Sequence, residues 1–210
     1  MFNGLIKDFG KIISNDGKTL SIASKLEVSM GASVAVNGAC LSVVKYDSKG
    51  FCVELSSESA SHLALENLCS GAFVHLEPAL RYGASIDGHL IQGHIDALGK
   101  LISTQIRPSG SDFFVRLPEH ILPFVAHKGS IAIEGVSLTI SEIKGDIIRL
   151  SIIPITLKDT LFSEFEQGRR LHIETDLLAR YAARVLEFQT RIPKHELSWD
   201  ECELYSRLFL

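Results

Sequence analysis

The chain has 210 residues, 46% hydrophobic and 22% charged, with a formal net charge of -4, a globular balance that fits one large domain or two small ones. A net negative chain lacks the basic surface that phosphate backbones demand, so nucleic acid is not an expected partner. No apolar run is long enough to span a bilayer, and Lys7 and Asp8 interrupt the N-terminal stretch where a secretory signal needs its apolar core, so a cytoplasmic protein without membrane contact is expected.

In chain order, Val, Ile and Leu alternate with small or polar residues over SVAVNG, CLSVV, FCVELS and FVHLE. Such runs, broken by Gly, Asn, Asp and Ser, predict short antiparallel strands. Residues 57–68 (SESASHLALENL) predict a helix. The strand pattern returns in SIAIEG, SLTIS, IIRLSII and RLHIE, with a second helix predicted over 154–165 behind Pro154. Asp176 is placed to cap a helix on which Leu177, Leu178, Tyr181, Val185 and Leu186 recur at about 3.6-residue spacing. Pro193 should end it. A last helix is predicted in SWDECELYSRLFL, where Ser198 and Glu201 have capping-box spacing.

The strand-rich part is written twice. SVAVNGACLSVV from Ser33 overlies SIAIEGVSLTIS from Ser130 at a shift of 97 residues, and the same shift sets VHLE (74–77) on LHIE (171–174). A shift of 89 sets FNGLIKDFGKIIS on IQGHIDALGKLIS (91–103). Internal repetition of this kind defines the architecture before any single motif does. The expected fold is all-β, two tandem antiparallel barrels followed by a helical segment, with units at 1–88, 89–178 and 179–210. Each copy carrying one ligand pocket would hold two molecules of the same compound side by side, and proximity lowers the barrier to a reaction between them.

The four cysteines (Cys40, Cys52, Cys69, Cys202) form no C-x-x-C pair and are expected as free thiols. His89 and His94 would point to opposite faces of a strand, and no cysteine or carboxylate completes a ligand set, so no metal is expected. His62, His120, His127 and His195 read as surface or structural. Glycines 4, 38, 88, 93, 129 and 135 permit tight turns, and Gly4 and Gly93 can also admit a ring system against the backbone.

The ordered segments MFNGLI, NGACLSV, DGHLIQGHID, KGSIAIEGVSLTI and HIETDLLARY resemble the riboflavin synthase family over about residues 1 to 186. The resemblance implies two six-stranded Greek-key barrels and a homotrimer formed through a C-terminal helix. It implies conversion of two 6,7-dimethyl-8-ribityllumazine molecules into riboflavin and 5-amino-6-ribitylaminouracil by transfer of a four-carbon unit, without cofactor or metal. The active site would lie between the first barrel of one chain and the second barrel of its neighbour. Family ligand contacts carried over to the first barrel fall on Gly4, Leu5, Ile6, Cys40, Leu41, Ser42, Glu54, Leu55, Ser56, Ser57, Glu58 and Ser59. In the second they fall on Gly93, His94, Ile95, Lys128, Ser137, Leu138, Thr139, Ser151, Ile152, Ile153, Pro154, Ile155 and Thr156.

Chemistry should reside where the copies differ. Cys40 aligns with Ser137, and His94 with Leu5; a thiol is the better nucleophile of the first pair. The resemblance assigns acid, base or nucleophile roles to Cys40 and His94, with Ser33, Ser137, Thr139 and Asp176 positioning substrate or relaying protons. Asn3, Asp87, Ile155 and the stretch LKDTLFSEF depart from the family pattern, chiefly in the second barrel. The rival reading is a non-catalytic lumazine- or flavin-binding protein of the same family. A flavin-binding reductase barrel would need a nucleotide-binding domain, and no Gly-rich strand-to-helix turn is present.

Overall fold

The computed structural model describes residues 1–191, so the expectations for Pro193 and for the SWDECELYSRLFL segment lie outside the described residues. Six strands, β1 (Asp8–Asn15), β2 (Thr19–Ala23), β3 (Ser33–Val36), β4 (Ala39–Asp47), β5 (Gly50–Glu54) and β6 (Phe73–Pro78), close into an antiparallel barrel in the order β1-β2-β5-β4-β3-β6. Strands β7 (Ala97–Arg107), β8 (Gly110–Arg116), β9 (Ser130–Ile133), β10 (Val136–Lys144), β11 (Ile147–Ile152) and β12 (Arg170–Thr175) close a second barrel with the same connectivity. Even the bulges repeat, at Ile12/Ser14 and Leu101/Ser103 and again at Val43/Lys45 and Ile140/Glu142. Each barrel is filled by its own alternating residues, such as Leu20, Ile22, Val53 and Leu76 in the first and Leu101, Phe113, Ile148 and Leu171 in the second.

The barrels meet about a pseudo-twofold axis. The β3–β4 and β9–β10 hairpins turn on Asn37–Gly38 (φ 46 and 86) and Glu134–Gly135 (φ 49 and 81). Two consecutive residues at positive φ make the turn that matches strand twist. The tips press together so closely that a Cβ on Gly38 would sit 2.7 Å from the Gly135 nitrogen, and one on Gly135 would sit 2.7 Å from the Gly38 nitrogen. A small second core of Phe2, Ala35, Ile91 and Ala132 closes the same interface, two pairs of repeat-equivalent residues.

The two predicted helices are each shorter than the sequence pattern indicates. Residues 57–68 form α1 (Ser57–His62) and a separate 3-10 turn at Leu65–Leu68; residues 154–165 form α2 (Pro154–Lys158) and a turn at Leu161–Glu164. The break has a cause in the opposite barrel. The Ala64 N–H donates to His172 Nε2 (2.9 Å) and the equivalent Leu161 N–H to His75 Nε2 (2.7 Å), donors that a continuous helix would spend on the carbonyl four residues back. With Nε2 accepting, each ring carries its proton on Nδ1, which donates to Glu134 O from His75 and to Asn37 O from His172, both at 2.9 Å. Burial holds His75 down at about 4. The C-terminal helix α3 (Leu177–Arg191) starts where Asp176 Oδ1 accepts the Leu178 N–H at 2.8 Å. Leu178, Tyr181, Val185, Leu186 and Phe188 are exposed along it.

Candidate active site

Each copy opens with a loop that a buried carboxylate gathers. In the first copy, Glu77 accepts the Asn3 N–H (2.7 Å) and the Gly4 N–H (3.0 Å). In the second, Glu174 accepts from Gln92 (2.7 Å), Gly93 (2.8 Å) and His94 (3.1 Å). Burial raises both carboxyls above the ordinary range, and the donated N–H groups pull them back toward the charged form.

These loops cross the pseudo-twofold axis. The Cys40 N–H donates to Gly93 O (2.8 Å), and the Ser137 N–H donates to Gly4 O (2.9 Å). Ile95 packs on the core of the first barrel and Ile6 on that of the second. The resemblance placed Gly4, Leu5 and Ile6 with the first barrel's contacts and Gly93, His94 and Ile95 with the second's; the structure exchanges the two trios. Glycine is required at both crossings. Gly4 and Gly93 hold φ 78 and 81, and a Cβ would lie 2.6 Å from Ser137 Cβ or 2.5 Å from Cys40 Cβ, respectively.

The exchange brings Cys40 and His94 together. They line one groove of about 450 Å³ with Leu41, Glu58, Ser59, His62, Leu63, Gly93 and Ile95. Cys40 is half-buried and His94 exposed, a thiol and an imidazole facing one space. Ser56 caps α1 by accepting the Ser59 N–H at 3.0 Å, which turns Glu58 and Ser59 toward the groove rather than leaving them in an open loop. His62, expected as a surface or structural residue, comes into the same groove. Leu55 is instead buried in the first core, and Ser42, Glu54 and Ser57 are exposed outside the groove lining. A separate groove of about 360 Å³ at the far end of the first barrel, lined by Tyr46, Lys49, Phe51 and Cys52, receives none of the ligand contacts that the resemblance implies.

The equivalent place in the second barrel is built differently. Ser137 Oγ lies 2.7 Å from His89 Nδ1, and the His89 ring is buried, with its Nε2 shielded and without a hydrogen-bond partner among the described residues. Burial lowers the His89 imidazole below its usual value, while the Asp176 carboxylate opposes that shift. Thus Asp176, Ser137 and His89 form one electrostatic group beside the Gly4 loop. Ile153 and Ile155 are exposed where the first copy has Ser56 and Glu58, and Pro154 and Thr156 stand where it has Ser57 and Ser59. Ile152 is core, Leu138 packs on that core, and Lys128, Thr139 and Ser151 are exposed. One copy therefore presents thiol, carboxylate and imidazoles; the other presents a hydroxyl backed by a buried imidazole and an apolar wall.

Three further residues differ from the sequence reading. His89 and His94 are in an irregular segment rather than a strand, and they reach different sites because the chain between them carries the crossing at Ile91, which bridges Phe2. His89 was legible as part of DGHL but had no visible partner, since Ser137 is 48 residues away. Ser33 is not brought to Cys40 and His94 within one chain. It shares a barrel face with Cys40 but pairs with Ser42, two positions further along β4, and lines another depression with Glu27, Ser29, Pro78 and Arg81. Cys40, Cys52 and Cys69 are free thiols.

A double-barrel chain with one ligand-sized groove assembled across both copies defines a class of duplicated small-ligand-binding proteins. Residues 3–79 and 92–176 each match the lumazine binding domain. The chain is 34% identical over 194 residues to the riboflavin synthase of Photobacterium phosphoreum, covering 89% of each chain. It is also 34% identical over 201 residues to that of Brucella abortus, covering 90% of this chain and all of the relative. The riboflavin synthase of Bacillus subtilis is 31% identical over 193 residues, covering 89% and 90% of the two chains. Among solved structures, LumP complexed with 6,7-dimethyl-8-(1'-D-ribityl) lumazine superposes with a TM-score of 0.73 at 21% identity, over 83% of this chain and 99% of that one. The chain belongs to the riboflavin synthase family of lumazine-binding-domain proteins.

Proposed function

We propose that the protein is a riboflavin synthase, dismutating two 6,7-dimethyl-8-ribityllumazine molecules to riboflavin and 5-amino-6-ribitylaminouracil. The observation that carries this reading is the convergence of Cys40 and His94 in a groove that neither repeat could make alone. The reaction needs a nucleophile to add to one lumazine and a base to take a methyl proton from the other. Cys40 is the nucleophile of choice and His94 the acid or base, with Glu58, Ser59 and His62 available to hold polar atoms of the ligand. Ser137, backed by His89 and Asp176, serves the second lumazine. The reading needs no cofactor or metal: the four-carbon unit lost by one lumazine is the unit gained by the other.

The units proposed for binding are 1–88 and 89–178, with 179–210 serving oligomerisation. The exposed apolar row on α3 supports a homotrimer that brings one chain's first site against a neighbour's second, and a cytoplasmic location is part of the same proposal. No described helix is long and apolar enough to cross a membrane. The test is turnover of 6,7-dimethyl-8-ribityllumazine by purified protein without added cofactor or metal, followed by riboflavin absorbance. One riboflavin per two lumazines consumed is expected; stable lumazine fluorescence with no riboflavin would make the chain a binding protein.

A further inference from the structure

The two gathered loops are not held alike. Beyond Glu77, the side-chain hydrogen bonds described for the first-copy loop come from Asn3, which donates to Ser85 O (3.3 Å) and accepts the Gly88 N–H (2.7 Å). The second-copy loop has an additional clamp from outside the barrel. Arg180, in the first turn of α3, donates to Asp96 Oδ1 (2.9 Å), to Gln92 Oε1 (3.0 Å) and to Glu174 Oε1 (3.4 Å). Asp96 is itself pinned to the end of β12, where its Oδ2 accepts the Thr175 N–H and Oγ–H, both at 2.7 Å. The repeat-equivalent of Asp96 is Lys7, so the first copy has no acidic seat for such a clamp.

We infer that Arg180 is a positioning residue for His94, fixing the 92–95 loop against the Cys40 groove and coupling that groove to the seat of helix α3. The inference rests on the functional reading above. The physical argument is direct. Glu174 spends one carboxylate on three loop N–H groups, His94's among them, while Asp96 stands beside it as a second negative charge. Arg180 faces both carboxylates and is only 22% exposed at its side chain, so screening by water is partial. Without the guanidinium, two neighbouring carboxylates repel and Gln92 loses its restraint. The loop then relaxes away from Cys40, loosening the bond that Gly93 O accepts from the Cys40 N–H and carrying His94 with it. A planar fork that touches three acceptors on different segments is suited to this task.

The experiment compares wild type, Arg180→Gln and Arg180→Lys, each alone and with His94→Ala, by turnover of 6,7-dimethyl-8-ribityllumazine and by the His94 imidazole signals in proton–carbon correlation spectra. Because about 1 Å of misplacement costs up to about 100-fold, R180Q should lower kcat about ten- to a hundredfold with KM changed by under about threefold. It should also shift the His94 signals, and R180K should regain part of both. In the His94→Ala background R180Q should cost less than about twofold more, since its effect passes through His94. Equal losses in both backgrounds, or His94 signals unchanged by R180Q, overturn the inference. If R180Q fails to fold, Asp96→Asn removes the same seat and carries the same expectations. A wild type that makes no riboflavin refutes the functional reading instead, and the His94 signals then decide the positioning role alone.

Discussion

Gly93→Ala perturbs the contact on which the groove depends. At φ 81 an alanine pays for the left-handed backbone, about 1–2 kcal/mol. Its methyl would also sit 2.5 Å from Cys40 Cβ and 2.8 Å from the Cys40 nitrogen, against an ordinary contact of roughly 3.5–4 Å. Neither neighbour can swing aside, because both belong to the start of β4 and the nitrogen is itself bonded to Gly93 O. Overpacking of a tight site adds about 1–3 kcal/mol. The sum, about 2–5 kcal/mol, corresponds to a fall in Tm of about 5–15 °C for a chain of this size. Differential scanning calorimetry measures that fall, and lumazine turnover at 20 °C below the variant's own midpoint measures the consequence for chemistry. Gly4→Ala is the internal control, with the same φ penalty and a 2.6 Å clash against Ser137 Cβ. Both variants should lose similar stability, while G93A should impair thiol-dependent turnover more. Unchanged stability and turnover in G93A would refute the crossing-over of the two loops.

Three further outcomes are expected. His75 is neutral and held at about 4 by burial, whereas in the unfolded chain it titrates near 6.5. The unfolded state therefore binds more protons as pH falls from 6.5 to 4, and stability is full above that window and lost within it. The loss is about 2 kcal/mol by pH 5, which urea unfolding of wild type and His75→Asn at pH 7 and pH 5 should show as a steeper decline in the wild type. The inter-barrel pair Arg170–Glu66 is short and bidentate but about half exposed. Glu66→Gln should cost less than about 1 kcal/mol, with the difference abolished at about 1 M salt. Cys40→Ala should abolish riboflavin formation while lumazine fluorescence quenching persists, and full activity in that variant would remove the thiol from the chemistry.

Much of this was legible from local pattern. Barrel strands are about half a dozen residues of alternation, and the repeat register carried the two-barrel organisation and the Cys40/Ser137 asymmetry from one copy to the other. The exchange of Gly4–Ile6 with Gly93–Ile95 was not legible, because alignment of repeats reports equivalence and says nothing of which copy a loop packs on. The helix breaks at Ala64 and Leu161 were hidden for a related reason. Their cause is a histidine from the other barrel, over a hundred residues away in one case, and helix patterns record only neighbours three and four positions off. His62 is exposed, as the sequence reading has it, but its place on the groove was hidden because a histidine at the end of a short polar helix shows no partner in sequence. Arg180 reads as one more charge on an amphipathic helix; its three acceptors are scattered over two segments.

The most direct test of the account is a crystal structure of the protein soaked with 6,7-dimethyl-8-ribityllumazine. The account predicts the ring system in the groove between Cys40 and His94, with Gly93 beneath it. A lumazine bound instead in the far groove of Tyr46, Phe51 and Cys52, with the Cys40 groove filled by water, would contradict it.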